Sequence, residues 1–273
     1  MPRQFFGMVA AEIRKVFTRG AAIGALTIAI AVGFGAVLVM WRVKTWGEGG
    51  PTVNGAALSD LMTVSGLATA GGALQARNFF ILPLFLLLAS ASAVGGEISD
   101  RTMRELLVRP VPRWSVLLAK LIALSLVSAA SLVLTLVPAL GLGTAIFGLS
   151  PEGYQGPGTT DLLGGYAASF LSDVGLITLG MAASMVLRSV GGTVVAVVLI
   201  LGADLALRGV VKALSMFGME EAAAIQPWLL GNALGCWEGW KETWALEPFG
   251  ALAAFTAVFC AFGVARFQRL DVP

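Results

Sequence analysis

The chain has 273 residues, 57% hydrophobic and only 12% charged, with a mean hydropathy of +0.86. Soluble domains carry about 25% charged residues; half that share, with apolar runs of about twenty residues, indicates a polytopic membrane protein rather than a large soluble core. The net charge of +2 is too weak for a nucleic-acid partner, and the absence of histidine removes the usual general base and most zinc or haem schemes. Cys236 and Cys260 show no metal or redox spacing, so no catalytic, cofactor-binding or metal-ligating residues are expected.

Residues 1–20, "MPRQFFGMVAAEIRKVFTRG", read as an amphipathic interfacial helix. Phe5, Val9, Ile13 and Phe17 recur every four residues beside Val16, with Arg3, Glu12, Arg14, Lys15 and Arg19 on the polar side. The segment is expected not to be a cleavable signal peptide, because the apolar run behind it is too long for one. Span one, 21–41, holds no charge and is about 31 Å long as a helix. Span two is strongest over 79–94, short for a crossing, and "GLATAGGALQARN" before it supplies another turn or two. Span three lies within 115–148, kinked or ended by Pro138. Spans four, five and six follow at 166–187, 191–207 and 248–265. Five or seven spans are the alternatives, and both turn on the weak 61–72 segment. The expected fold is therefore one all-α membrane domain over 1–273 with six transmembrane helices.

With six spans, twelve of the eighteen basic residues fall on the side of both termini. The far side holds six, among them Arg42, Lys44, Arg77 and Lys241, with nine acids. Positive charge stays inside, so both termini are expected in the cytoplasm. The 212–247 loop would then be extracytoplasmic, long enough for short helices, and rich in tryptophan suited to a membrane interface.

Eight charges gather between spans two and three: Glu97, Asp100, Arg101, Arg104, Glu105, Arg109, Arg113 and Lys120. Within "SDRTMRELLVRP", Ser99 or Asp100 suits a cap, Met103, Leu106 and Leu107 share a face, and Pro110 stops the helix. Pro112 suits a second start. A loop that only sets topology would need arginines alone. Three acids interleaved with an apolar face point instead to a short surface helix that docks a partner.

The order Gly95, Glu97, Thr102, Leu106, Leu107, Pro110, Arg113, Leu117, Leu118 and Lys120 resembles the glutamate-led segment of ABC-2 type ABC transporter permeases. The family often has glycine before the lysine, where this chain has Ala119. The layout is similar throughout, while the specific match covers about twenty-five residues. The resemblance implies six helices, cytoplasmic termini, an N-terminal connecting helix over 1–20 and a cytoplasmic coupling segment over 95–113. It implies that Glu97, Asp100, Arg101, Thr102, Arg104, Glu105, Leu106, Leu107, Pro110 and Arg113 dock an ATPase. The chain has no Walker A motif and no stretch long enough for a nucleotide domain, so ATP and Mg would belong to two separate cytoplasmic ATPase subunits. A second permease copy or homologue, an accessory periplasmic or membrane subunit and lipid are the other expected partners. The implied location is a bacterial or archaeal cytoplasmic (inner) membrane, and the implied work is export or mechanical work across it.

Asp173, in span four, and Asp204, ending span five, are the acids inside apolar runs. Such a residue faces a cavity or a partner. Asp173 is either a contact on a translocation path or a pair with a neighbouring helix, and Asp204 suits an i,i+4 pair with Arg208. Tyr166, Ser169, Ser172, Thr178 and Ser184 either line a polar path or bond their own backbone or a neighbour. Three rival readings stay open. A secondary transporter would show internal repeats, and spans one to three do not align on four to six. An intramembrane enzyme would need convergent histidine or paired carboxylates. A non-transporting membrane anchor is the third.

Overall fold

The computed structural model describes residues 2–46, 52–53, 56–57, 63–79, 81–103, 112–150, 154, 156, 158–216, 224–237 and 246–269. Among the described residues, six helices are long and apolar enough to cross a membrane, and the regular structure is helical apart from a two-residue strand pair, Thr52–Val53 with Ala56–Ala57. The protein is a multi-pass helical membrane protein by that measure.

Helix α1, Pro2–Phe17, lies against the start of α5, Arg113–Phe147, and α2, Gly20–Trp46, is the first span. The apolar stripe of α1 packs on protein: Met8 and Val16 are buried, with Phe5, Val9, Ile13 and Phe17 around them. Glu12 sits on this buried stripe and not with the polar residues, because a buried lysine beneath it needs a carboxylate.

Span two is a broken helix. Helix α3, Gly66–Asn78, precedes α4, Ile81–Ala91, which continues through a π-helical turn at Ser92–Gly96 and one more turn at Glu97–Ser99. The Ser65 hydroxyl caps α3 by accepting from the Ala68 N–H at 3.0 Å. Helix α3 runs antiparallel along α5, α4 packs mainly on the first span and on the helix Thr159–Leu187, and the end of span two returns to the start of α5. Gly66 N–H donates to the Gly148 carbonyl at 2.9 Å, Arg77 meets Ser131 at 2.8 Å and Glu97 meets Lys120 at 2.7 Å. The weakly polar segment thus supplies a full half-helix, and Arg77 lies inside the bundle, not on the far side. Small residues permit this: Gly66 and Gly143 touch where α3 meets α5.

Pro138 neither ends α5 nor leaves a gap. The helix continues to Phe147, and Pro138 packs on Gly33 of α2, where a Cβ would come within 2.6 Å of its ring. The Leu134 carbonyl, which proline cannot serve with an N–H, faces the same glycine. Helix α6, Thr159–Leu187, packs on α4, α5 and the last span, α9, Leu246–Gln268. Helix α7, Val190–Met216, runs nine residues further than hydropathy suggests, and most of its apolar length is exposed. The segment expected over 212–247 therefore starts after Met216. Its described part carries a 3₁₀ turn, Gln226–Trp228, and the short helix α8, Leu230–Leu234.

Candidate functional site

Two buried ionic clusters stand at different depths along α5. The first joins the N-terminal helix to the elbow between spans two and three. Lys120, fully buried, donates to Glu97 Oε2 at 2.7 Å and to Glu12 Oε2 at 2.9 Å. Glu97 Oε1 takes Lys15 at 2.5 Å and Arg19 at 2.7 Å. Three cations and two carboxylates thus tie together α1, the head of α2, the end of span two and the start of α5. The π-helical turn just before Glu97, at Gly95 and Gly96, lets the backbone of span two approach Ser189 and Val190 at the head of α7.

The elbow leaves this cluster by a sharp turn. Ser99 O–H donates to the Gly96 carbonyl at 2.8 Å, and Arg101 takes a left-handed conformation with φ of 60°. Ser99 and Asp100 therefore close span two. Asp100, Arg101 and Thr102 are exposed, while Met103 is fully buried in the core. Arg104, Glu105, Leu106, Leu107 and Pro110 lie outside the described residues. Arg113, after the capping Pro112, donates to the Gln268 carbonyl at 3.0 Å at the end of the last span, as a cation suits a helix C-terminus. Of the residues implied to dock a partner, Glu97 is thus turned inward, Arg113 reaches the last span, and 100–102 remain open.

The second cluster lies halfway along α6. Asp173 Oδ2 accepts from Arg77 Nη2 at 2.6 Å and from the Ser128 hydroxyl at 2.5 Å. Arg77 also donates to Ser131 at 2.8 Å, Ser169 at 3.1 Å and Asn78 Oδ1 at 2.6 Å. Arg77 is fully buried and Asp173 nearly so. Asp173 thus pairs with a neighbouring helix, through a partner that hydropathy alone assigned elsewhere. The available signal was a single arginine ending a weakly polar segment directly before an apolar run.

Asp204 Oδ2 pairs with Arg208 at 3.0 Å and accepts the Gly231 N–H at 2.9 Å, so α7 holds the short helix α8 in place. The Ser172 hydroxyl donates to the Leu234 carbonyl, which fixes α8 against α6. Tyr166 O–H donates to the Ala70 carbonyl at 3.1 Å. Thr178 and Ser184 bond carbonyls of their own helix, at 2.8 and 2.7 Å. Between α4, α6, α7 and α8 lies a cavity of about 430 Å³, bordered by Asn78, Asp173 and Arg208 among apolar side chains.

No group of metal-ligating side chains occurs among the described residues. Residues 62–273 match the family whose description reads "protein of unknown function (DUF2705)". No curated protein matches the chain.

Proposed function

We propose that this chain, which belongs to the DUF2705 family, is the membrane-spanning permease subunit of an ATP-driven transporter. In this reading a separate cytoplasmic ATPase grips the elbow between spans two and three, and the chain exports a substrate or performs mechanical work on one. Two ATPases and a second permease copy or homologue complete the complex in an inner membrane with both termini cytoplasmic. The chain itself hydrolyses nothing.

The observation that carries the reading is how the elbow is anchored. Its two ends are locked to different parts of the bundle. Glu97 enters the cluster with Lys120, Lys15 and Arg19, and Arg113 bonds the end of the last span. A displacement applied at 100–112 would thus move α1 and spans one, two, three and six together. An unanchored surface loop would absorb the same displacement. The exposed Asp100, Arg101 and Thr102 offer the grip.

The test is co-purification with the ATPase encoded by a neighbouring reading frame. Reversing the exposed pair, Asp100→Arg with Arg101→Glu, is expected to abolish co-purification and transport-coupled ATP hydrolysis while insertion stays normal. Unchanged association and turnover would overturn the reading.

A further inference from the structure

We propose that the cavity beside the break in span two is a binding site for a zwitterionic phospholipid that enters sideways from the bilayer. This goes beyond the permease reading and does not depend on it, since the cavity lies within one chain and none of its bordering residues belongs to the elbow.

Three observations converge. The cavity opens where the helix is interrupted: Asn78 and Phe79, at the break, border it. An interruption of this kind exposes backbone and side-chain polarity beside an apolar span, and discontinuous helices bind substrates in other membrane folds. The rim is apolar and faces outward, since Phe79 is 88% exposed and Leu205 is 62% exposed. Leu205 lies on α7, one of the six helices apolar enough to cross a membrane, so acyl chains reach the mouth from that side. A guest arriving there must itself partition into the bilayer.

The charge pattern selects the head group. One carboxylate, Asp173, and one guanidinium, Arg208, border the cavity, each backed by an opposite charge, Arg77 and Asp204 respectively. The four charges sum to zero. A singly charged guest would bring an uncompensated charge into a low-dielectric site, which is costly. A zwitterion adds none. Its ammonium suits Asp173, whose bonds to Arg77 and Ser128 both fall on Oδ2, so Oδ1 takes neither. Its phosphate suits Arg208, whose side chain is 31% exposed.

Gly202 makes the site testable without disturbing its framework. It borders the cavity, and a Cβ built there meets nothing within 4 Å. Gly202→Trp should fill the space from α7 while leaving the helix packing intact. The purified full chain in nanodiscs would be titrated with spin-labelled phosphatidylethanolamine, phosphatidylglycerol and diacylglycerol. Bound label would be read by electron paramagnetic resonance, and thermal unfolding would be followed in parallel.

Phosphatidylethanolamine is expected to show an immobilised population that Gly202→Trp reduces about tenfold, the factor set by losing one good contact. The unfolding temperature without added lipid should stay unchanged. Arg208→Gln should weaken phosphatidylethanolamine while leaving diacylglycerol unaffected. Equal immobilisation of diacylglycerol would mean a merely greasy cleft and would overturn the proposal. So would preference for phosphatidylglycerol, or retention of the signal in Gly202→Trp. Loss of ATPase association in the elbow variants would leave all of these results unaltered.

Discussion

Lys120 reaches Glu97 at 2.7 Å and Glu12 at 2.9 Å, so one fully buried ammonium joins two carboxylates that stand 85 residues apart in the chain. Removing either carboxylate leaves the lysine with one. Removing the lysine leaves Glu12 without its cation, while Glu97 keeps Lys15 and Arg19.

Lys120→Met is therefore expected to destabilise the protein by about 3 to 5 kcal/mol, the range for breaking a buried pair from one side. Adding Glu12→Gln to it should recover part of that loss, because the stranded carboxylate goes too. Unfolding in mixed detergent, read as a double-mutant cycle, checks this. An additive cycle would show that the two groups do not interact.

The Arg77–Asp173 pair behaves as a second, independent unit further along α5. Asp173→Asn leaves Arg77 with only neutral acceptors and is expected to cost about 3 to 5 kcal/mol. Arg77→Gln with Asp173→Asn should be less damaging than either change alone. A double variant worse than both singles would contradict the pairing as the source of stability.

Gly33 and Pro138 form a close approach of spans one and three. A Cβ at Gly33 would stand 2.6 Å from the proline ring and 2.8 Å from the Thr135 carbonyl. Gly33→Ala is expected to cost about 1 to 3 kcal/mol through forced separation of the helices. Gly35, with nothing within 4 Å of its Cβ position, is the control, and Gly35→Ala should leave the unfolding midpoint unmoved.

Topology is checked by a cysteine at Thr102. The native Cys236 is buried, and burial pushes its thiol up to about 11. A raised value means that the reactive thiolate is scarce below that pH and gains population only as pH climbs toward it. At pH 7.5, with Cys260 changed to Ser, Thr102→Cys should therefore be the labelled site. An impermeant maleimide is expected to reach it in inverted vesicles and not in intact cells. Labelling in intact cells would put the elbow on the outer side and end the ATPase reading.

Six apolar crossings, an amphipathic start and a charged elbow after the second are legible in the residues alone. Each follows from composition and spacing within some twenty residues, the range over which hydropathy and helical period act. The Asp204–Arg208 pair was legible for the same reason, since i and i+4 meet on any helix. The remaining features depended on how the helices pack against one another. Whether 66–78 added a turn or two or a whole helix depended on α5 offering it a surface of matching length, with Gly143 and Ser131 in register. Glu12 looked like part of a wet face until Lys120 was seen beneath it, and Asp173 had no visible partner until the broken span brought Arg77 across 96 residues. Charges in a low-dielectric interior must find one another, and which ones do so depends on how the helices stack, a property absent from any single window of sequence.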